Sequence, residues 1–497
     1  MGSVTADEMR RIEAAAFRAG ATPGGLMEIA GRRMGQAMRR FFPAPGTAVA
    51  YLGKGHNAGD ALIALRELRT AGWRISVRAA YPMIEWASLT RAVFRELGEI
   101  ELHERPLDPT ELDRPLILVD GLVGIGARGG LRGPLTELAG EMNQLRETHG
   151  ARIAAVDLPS GIDPDSGEIF PGSVRADVTF TIAVPKRGVL DSRSINAVGA
   201  LVLVPVDELP IPEGGDRRLI SPQTLPGVRF LRPFDFHKGM AGRVGVFAGS
   251  ASYGGAAILA ATGALRGGAG LVTLHVPVEI VERVSARCPP EIIIRGVEHP
   301  DDLQKFGCDA WVIGPGLGEL DESWTAGLRR LIERDAIPCV VDADALNAVA
   351  RTGTLSRLPV GHVLTPHPGE FRRLAPDLDG LSREDAARSL ADRISPVLLL
   401  KGARTLVTAR GQALWCNSSG TPGMACGGQG DLLAGVIGAL LATGTTPLEA
   451  AACGAWLCGR ASEVALADRR LSEESLLPED TLAHLGGAFL DWRELSR

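Results

Sequence analysis

Residues 421–444 read TPGMACGGQGDLLAGVIGALLATG, with one aspartate, Asp431, set among glycines ahead of an apolar, alanine-rich helix. Gly427, Gly428 and Gly430 keep side chains off the backbone, so the N–H groups of residues 427–430, Gln429 included, can point inward. The start of the helix adds the positive end of its dipole. A phosphate is the natural guest of such a cradle, and a carboxylate at its lip can take the proton from an attacking hydroxyl. Asp431 also sits where an N-cap would, worth about 1 kcal/mol, but a cap alone leaves the preceding glycines unexplained.

No G-x-x-x-x-G-K-[ST] occurs in the chain, so a nucleotide must bind by other turns. GPGLG (314–318) and KGART (401–405) each follow an apolar strand, where open α/β sheets collect ligands. TPHPGE (365–370) puts His367 and Glu370 after another strand. The nine histidines show no zinc spacing, and Cys453 and Cys458 on a helical run read as core.

Nearer the N-terminus, YLGKGHNAGDALIALREL (51–68) suggests strand, glycine-rich loop and helix. Its glycines run G-x-G-x-x-x-G, and Ala79, Ala80 and Tyr81 stand where a ribose-binding acid belongs, so standard dinucleotide redox chemistry is disfavoured. Three strand ends instead carry Asn57 and Asp60, then Asp120, then Asp157 and Ser160. Such oxygens suit a hard cation, and a carboxylate in a cleft is a candidate acid or base.

These residues need a scaffold of strand ends. The first forty residues give two amphipathic helices, and short β-rich runs then alternate with helical ones, the pattern of a parallel sheet covered on both faces. The alternation stops over the Pro-, Gly- and charge-rich 207–227 and resumes at GRVGVFAGS, with a helix expected over 255–267. The division expected is a domain over 1–215, a linker over 216–227 and a second domain over 228–497.

A net charge of −6 offers no basic surplus for nucleic acid, so small-molecule chemistry is favoured. All seven cysteines lie at or beyond Cys288, no charged-then-apolar leader opens the chain, and no apolar run reaches the roughly 20 residues of a membrane span. A cytoplasmic protein with no membrane association is expected. Only five basic residues are lysines, and Lys54, Lys186, Lys238 and Lys401 fall in Gly- or Pro-containing turn segments, a weak hint that a compact ammonium is wanted there.

In order, HKGMAGRVGVFAGS, VIGPGLG, VVDADALN, LTPHPGE, LLLKGARTLV and GMACGGQGDLLAGVIGALLA resemble the ADP/ATP-dependent NAD(P)H-hydrate dehydratases of the ribokinase-like superfamily, over about 228–495. That resemblance implies Asp431 as catalytic base and an anion hole at Gly427, Gly428, Gln429 and Gly430. It puts the adenine nucleotide at Gly430 with Lys401, Gly402, Ala403, Arg404 and Thr405, and the hydrated nicotinamide nucleotide at Ala256, Gly316, His367 and Asp431. LMEIAG (26–31), the 51–68 stretch, VDGLVGIGARGG, VDLPSGID and PKRG (185–188) resemble the NAD(P)H-hydrate epimerase domain, over roughly 4–210. Here the resemblance implies a Rossmann-like three-layer α/β/α fold and a potassium ion on Asn57, Asp120 and Ser160. The hydrated nucleotide would lie against His56, Asn57, Ala58, Gly59 and Asp60, against Gly124, Ile125, Gly126, Ala127, Arg128, Gly129 and Gly130, and against Asp157, the acid–base residue.

The resemblance thus implies a two-domain α/β enzyme that repairs hydrated NADH and NADPH: one domain interconverts the epimers and the other dehydrates the S form. ADP or ATP is the co-substrate, magnesium accompanies it, and a homo-oligomer is expected. The rival reading is a ribokinase-like kinase of a small alcohol carrying an N-terminal binding scaffold.

Overall fold

The computed structural model describes residues 2–211, 214–334, 337–467 and 471–496. The chain divides into two compact units, Met1–Leu219 and Ile220–Arg497.

The first unit holds strands β1 (Thr47–Leu52), β2 (Arg74–Ala79), β3 (Glu101–His103), β4 (Leu116–Gly121), β5 (Arg152–Val156), β6 (Val178–Ile182) and β7 (Ala200–Val204). They form one parallel sheet in the order β3-β2-β1-β4-β5-β6-β7. Because β1 is fully buried on both faces, its side chains alternate between two cores. Ala48, Ala50 and Leu52 join Met34, Leu62 and Leu65 of the helices Pro23–Phe41 and His56–Thr70. Val49 and Tyr51 join Leu138, Met142 and Leu145 of the helix Pro134–His149 on the other side. The layers are therefore helix, sheet and helix, and the order reverses between β1 and β4, where open α/β sheets leave a crevice at their carboxyl ends.

The boundary between the units falls inside β8 (Arg217–Ile220), a strand within the stretch expected as linker. The sheet of the second unit contains β9 (Arg243–Phe247), β10 (Leu271–Pro277), β11 (Ile293–Val297), β12 (Ala310–Ile313), β13 (Cys339–Val341), β14 (Val363–Leu364), β15 (Val397–Leu400), β16 (Leu406–Thr408) and β17 (Leu414–Asn417). Its order runs β11-β10-β9-β12-β13-β14-β15-β16-β17. Pairing is parallel as far as β15, then antiparallel from β15 to β16 and β17. The run PVLLLKGARTLVTA is thus a hairpin, with KGART as its turn.

Two local expectations change. The helix expected near Asp431 begins at Gln429 with Gly428 before it, so Asp431 is the third helical residue and not the cap. The expected loop 56–60 is the first turn of a helix that starts at His56. Ala58, a strong helix former where a glycine would loosen the backbone, favours that turn, and its methyl group is buried in the core. No helix among the described residues is long and apolar enough to cross a membrane.

In the second unit the helices Gly254–Arg266 and Gln429–Ala442 approach through small residues. A Cβ on Gly435 would lie 2.0 Å from the Ala260 carbonyl oxygen, and one on Gly263 would lie 2.5 Å from that of Leu432. Gly435→Ala must therefore push the helices apart, and the expected loss is about 1–3 kcal/mol of stability in denaturant unfolding. Gly486→Ala, whose added Cβ meets nothing within 4 Å in the helix Pro478–Leu495, should be neutral or gain up to about 1 kcal/mol. Equal effects of the two would refute the close-approach account.

Candidate active sites

In the second unit the expected residues gather at successive strand ends. Asp342 follows β13, His367 and Glu370 follow β14, and Lys401 follows β15. The Lys401 ammonium pairs with Asp342 Oδ1 at 2.7 Å and stands 4.0 Å from Glu370 Oε2. It also lies under the start of the Asp431 helix, since a Cβ on Gly430 would be 3.1 Å from Lys401 Nζ. Burial pulls the ammonium's pKa down, but Asp342 and Glu370 outweigh it and hold the pKa above the ordinary lysine value. Lys401 is therefore a fixed cation beside the cradle.

Asp431 is pushed up to a pKa of about 7, first by burial and then by the charge of Asp342, against the pull of Lys401. A carboxyl poised there can hold or release a proton near neutral pH. Among the described residues no acceptor meets the N–H groups of Gly427, Gly428, Gln429 and Gly430, which leaves them for a ligand. The Gln429 side chain turns away, donating from Nε2 to Thr481 Oγ1 at 3.1 Å, so its share in the cradle is its backbone. Gly428 has φ +97°, a backbone conformation that favours glycine, and a Cβ there would stand 2.6 Å from Leu259 Cδ1, which would have to shift.

The wall of this site is built by close contacts. Gly316 has φ +62°, and a Cβ there would meet Ala256 Cβ at 2.8 Å and Tyr253 Cβ at 2.7 Å, so the expected Ala256 and Gly316 are neighbours. His367 caps the helix Pro368–Leu374: its Nδ1 accepts from Gly369 N at 3.0 Å, and Glu370 Oε2 accepts from His367 N at 2.8 Å. Burial, then Lys401, lowers its pKa, so the imidazole is neutral near pH 7. In the β15–β16 turn, Gly402 has φ +146° and Arg404 φ +55°, and the Arg383 guanidinium braces the turn through the Ala403 carbonyl at 2.8 Å and the Lys401 carbonyl at 3.3 Å. The Thr405 hydroxyl closes it on the Gly402 carbonyl at 3.2 Å.

The first unit assembles its oxygens at the crevice between β1 and β4. Asp120, at the end of β4 and fully buried, accepts from Ser160 N and Ser160 Oγ, each at 2.7 Å, and from Leu122 N at 3.2 Å. Ser160 Oγ accepts from Val123 N at 3.0 Å, and Asn57 Nδ2 donates to the Val123 carbonyl at 3.1 Å. Asn57, Asp120 and Ser160 are thus one connected group, with the Val123 carbonyl among them. Burial drives Asp120 up to a pKa of about 6 although three neutral donors resist it. The segment 124–130 continues from this group: Ala127 N donates to the Gly124 carbonyl at 3.1 Å, and a Cβ on Gly124 would stand 3.3 Å from Asn57 Oδ1. Gly129 has φ +77°, and Arg128 and Gly126 are exposed. Of the helix turn 56–60, His56 is exposed and Asp60 half-buried, whereas a Cβ on Gly59 would meet Met27 Sδ at 2.5 Å.

Asp157 follows β5 with φ +64°, rare for an aspartate, and ion-pairs through Oδ1 with Lys186, which is 1% exposed. Lys186, Glu13, Asp342, Arg383 and Tyr253 were not in the expected sets. The scarcity of lysine marked Lys186, and the two aspartates of VVDADALN were the available sign of Asp342.

The family profile described as NAD(P)H-hydrate dehydratase matches residues 244–483, and that described as YjeF-related protein N-terminus matches 24–188. A bifunctional NAD(P)H-hydrate repair enzyme of Gloeobacter violaceus is 37% identical over 494 residues, spanning 92% of this chain and 94% of its own. One of Coxiella burnetii is 34% identical, spanning 96% and 97%. Among solved structures, a ribokinase-like superfamily protein of Enterococcus faecalis superposes with a TM-score of 0.50 at 27% identity, covering 56% of this chain and 96% of that one. With both of its profiles matched and its sequence aligned nearly end to end with these relatives, the chain belongs to the family of bifunctional NAD(P)H-hydrate repair enzymes.

Proposed function

We propose that the first unit interconverts the R and S epimers of hydrated NADH and NADPH and that the second returns the S form to NAD(P)H at the expense of ADP or ATP. The observation that carries the second half is the row of unsatisfied N–H groups at 427–430 beside a carboxyl whose pKa is about 7 and a fixed ammonium. Hydroxide is a poor leaving group. In the reaction proposed, Asp431 takes the proton of the ring hydroxyl as its oxygen attacks the terminal phosphorus of the nucleotide, and the bond from that phosphorus to the bridging oxygen breaks to release AMP from ADP or ADP from ATP. The cradle and Lys401 hold the transferred phosphoryl group, and its loss as phosphate, with a proton from the neighbouring carbon, restores the ring double bond. Gly402, Ala403, Arg404 and Thr405 line the nucleotide, while Ala256, Gly316 and the neutral His367 face the nicotinamide part. Magnesium would arrive on the nucleotide phosphates as their counter-ion.

Potassium suits the first unit because the oxygens of Asn57, Asp120, Ser160 and Val123 form an all-oxygen set. Among the described residues the buried Asp120 carboxyl has only neutral donors, and a monovalent cation would supply a balancing charge. His56, Asn57, Ala58, Gly59, Asp60 and the segment 124–130 would bear on the substrate, Ala58 and Gly59 through backbone, with Asp157 as the acid–base group. A homo-oligomer in the cytoplasm completes the proposal.

Asp431→Asn should retain nucleotide binding yet lose dehydration by about 10²- to 10⁴-fold, read from the returning dihydronicotinamide absorbance. Near-normal turnover would refute the base assignment.

In the parent the dehydration rate should rise through about pH 7 as Asp431 ionises. Stability runs the other way: the raised pKa means that the native state holds this proton more tightly than the unfolded chain, so stability is lost as pH climbs from about 4 to about 7. Asp431→Asn should therefore melt above the parent at pH 8, with the gap closing below about pH 4. A pH-independent gap would contradict this.

Asp120→Ala should abolish potassium stimulation of epimer interconversion and weaken substrate binding. Unchanged rates in that variant, with and without potassium, would leave Asp120 as a brace only.

A further inference from the structure

Asp157 is held from several sides. Its backbone N–H donates to the Phe180 carbonyl at 2.9 Å, and its Oδ1 accepts both Ile182 N at 2.9 Å and the Lys186 ammonium. Lys186 donates again to the Ile182 carbonyl at 3.1 Å, and its own backbone is pinned by the N-terminal segment: Val4 N donates to the Pro185 carbonyl at 3.0 Å and Arg187 N to the Val4 carbonyl at 2.9 Å. Among the described residues the donors to the Asp157 side chain converge on Oδ1, and Oδ2 carries none.

Two further carboxyls stand within electrostatic reach of this pair: Asp60 from the helix His56–Thr70 and Glu13 from the helix Ala6–Arg18. One ammonium thus faces three carboxyls. Asp60 receives no hydrogen bond and makes no ion pair among the described residues; burial, then the charges of Asp157 and Glu13, raise its pKa well above the usual carboxylate value against the more distant pull of Lys186. The cluster therefore contains two kinds of carboxyl: Asp157, ion-paired with Lys186, and Asp60, which makes no such pair among the described residues and whose pKa is raised by burial and by its acidic neighbours.

Chemistry gives that division a use. Water adds to an enamine so that the hydroxyl lands on the carbon next to nitrogen, and the hydrated ring is therefore a hemiaminal. A hemiaminal inverts by opening: a base removes the hydroxyl proton, the carbon–oxygen bond becomes a carbonyl, the carbon–nitrogen bond breaks, and an acid protonates the departing nitrogen. Rotation of the aldehyde arm and the reverse transfers close the ring on the other face, with each proton returned to its donor. The step needs one ionised and one neutral group and no co-reactant.

We propose that Lys186 is the positioning residue of this reaction, holding Asp157 as the base with Oδ2 left for the substrate hydroxyl, and that Asp60 is the acid that protonates the ring nitrogen. The proposal rests on the epimerase reading given above.

The test uses the full chain without ADP or ATP, supplied with a single epimer of hydrated NADH and followed by chromatography. Asp157→Asn and Asp60→Asn should each slow interconversion about 10²-fold or more. Lys186→Met should lower kcat about as far with KM within about threefold, and Lys186→Met combined with Asp157→Asn should be no slower than Asp157→Asn alone, because the lysine acts through that aspartate. Should Lys186→Met fail to fold, the double variant, which removes both charges, still reads against Asp157→Asn, and Asp60→Asn leaves the pair untouched. In ¹⁸O-labelled water, ring opening keeps the original hydroxyl oxygen through epimerisation. Parental kcat in Lys186→Met or parental rates in Asp60→Asn would overturn the proposal, as would a full additional loss in the double variant or one solvent oxygen gained per inversion. A parent chain that does not interconvert the epimers would instead refute the epimerase reading itself.

Discussion

Taking an ammonium out of water costs several kcal/mol unless a carboxylate meets it at close range, and both units are organised around such a meeting at the carboxyl ends of their sheets. In the second unit the pair is Lys401 with Asp342, in the first Lys186 with Asp157. Removing one member of a buried pair typically costs about 3–5 kcal/mol, which makes these contacts expensive to vary. Each pair also leaves something over: among the described residues, Asp342 Oδ2 is buried without a partner and Asp157 Oδ2 has no donor. Burial first, and then the negative charge of Asp342 and of Asp157, raises the pKa values of the neighbouring Asp431 and Asp60.

The backbone is bent to serve these pairs. Among the described residues the non-glycine positions with left-handed φ are Asp157, Ala183, Ala343 and Arg404. Each stands just past a strand of one of the two sheets, after β5, β6, β13 and β15. Such conformations cost of order 1–3 kcal/mol each and persist where the surroundings over-determine them. Asp342 and Ala343 form one such corner: the Asp342 N–H donates to the Ile313 carbonyl at 3.0 Å, and Ala343 then turns the chain directly into the helix Ala343–Thr352.

Much of this was legible in the sequence because it is local. The alternation of β-rich and helical runs gave the two α/β units, and the glycines around Asp431 gave the cradle, since both depend on residues close in the chain. What stayed hidden was pairing at a distance. Nothing in PKRG says that Lys186 is buried against an aspartate 29 residues earlier, and nothing in VVDADALN says which aspartate meets Lys401, 59 residues on. Glu13 sits in a helix whose pattern reads as ordinary amphipathic surface, and only the folded sheet brings it near Asp157. The misplacement of Asp431 as a cap has a simpler cause: Gly428 takes that position, and a glycine cap leaves no side-chain signature.

The burial of Lys186 has a practical corollary for anyone who labels or immobilises the protein. Of five lysines in 497 residues, Lys54, Lys238 and Lys305 are exposed to an amine-selective reagent, and Lys401 keeps 17% of its side chain accessible. Lys186, 1% exposed, reacts only when its surroundings part. The first site therefore carries a built-in clock: the slow rate at which this amine is modified, read by peptide mass, measures how often its cleft opens by local unfolding.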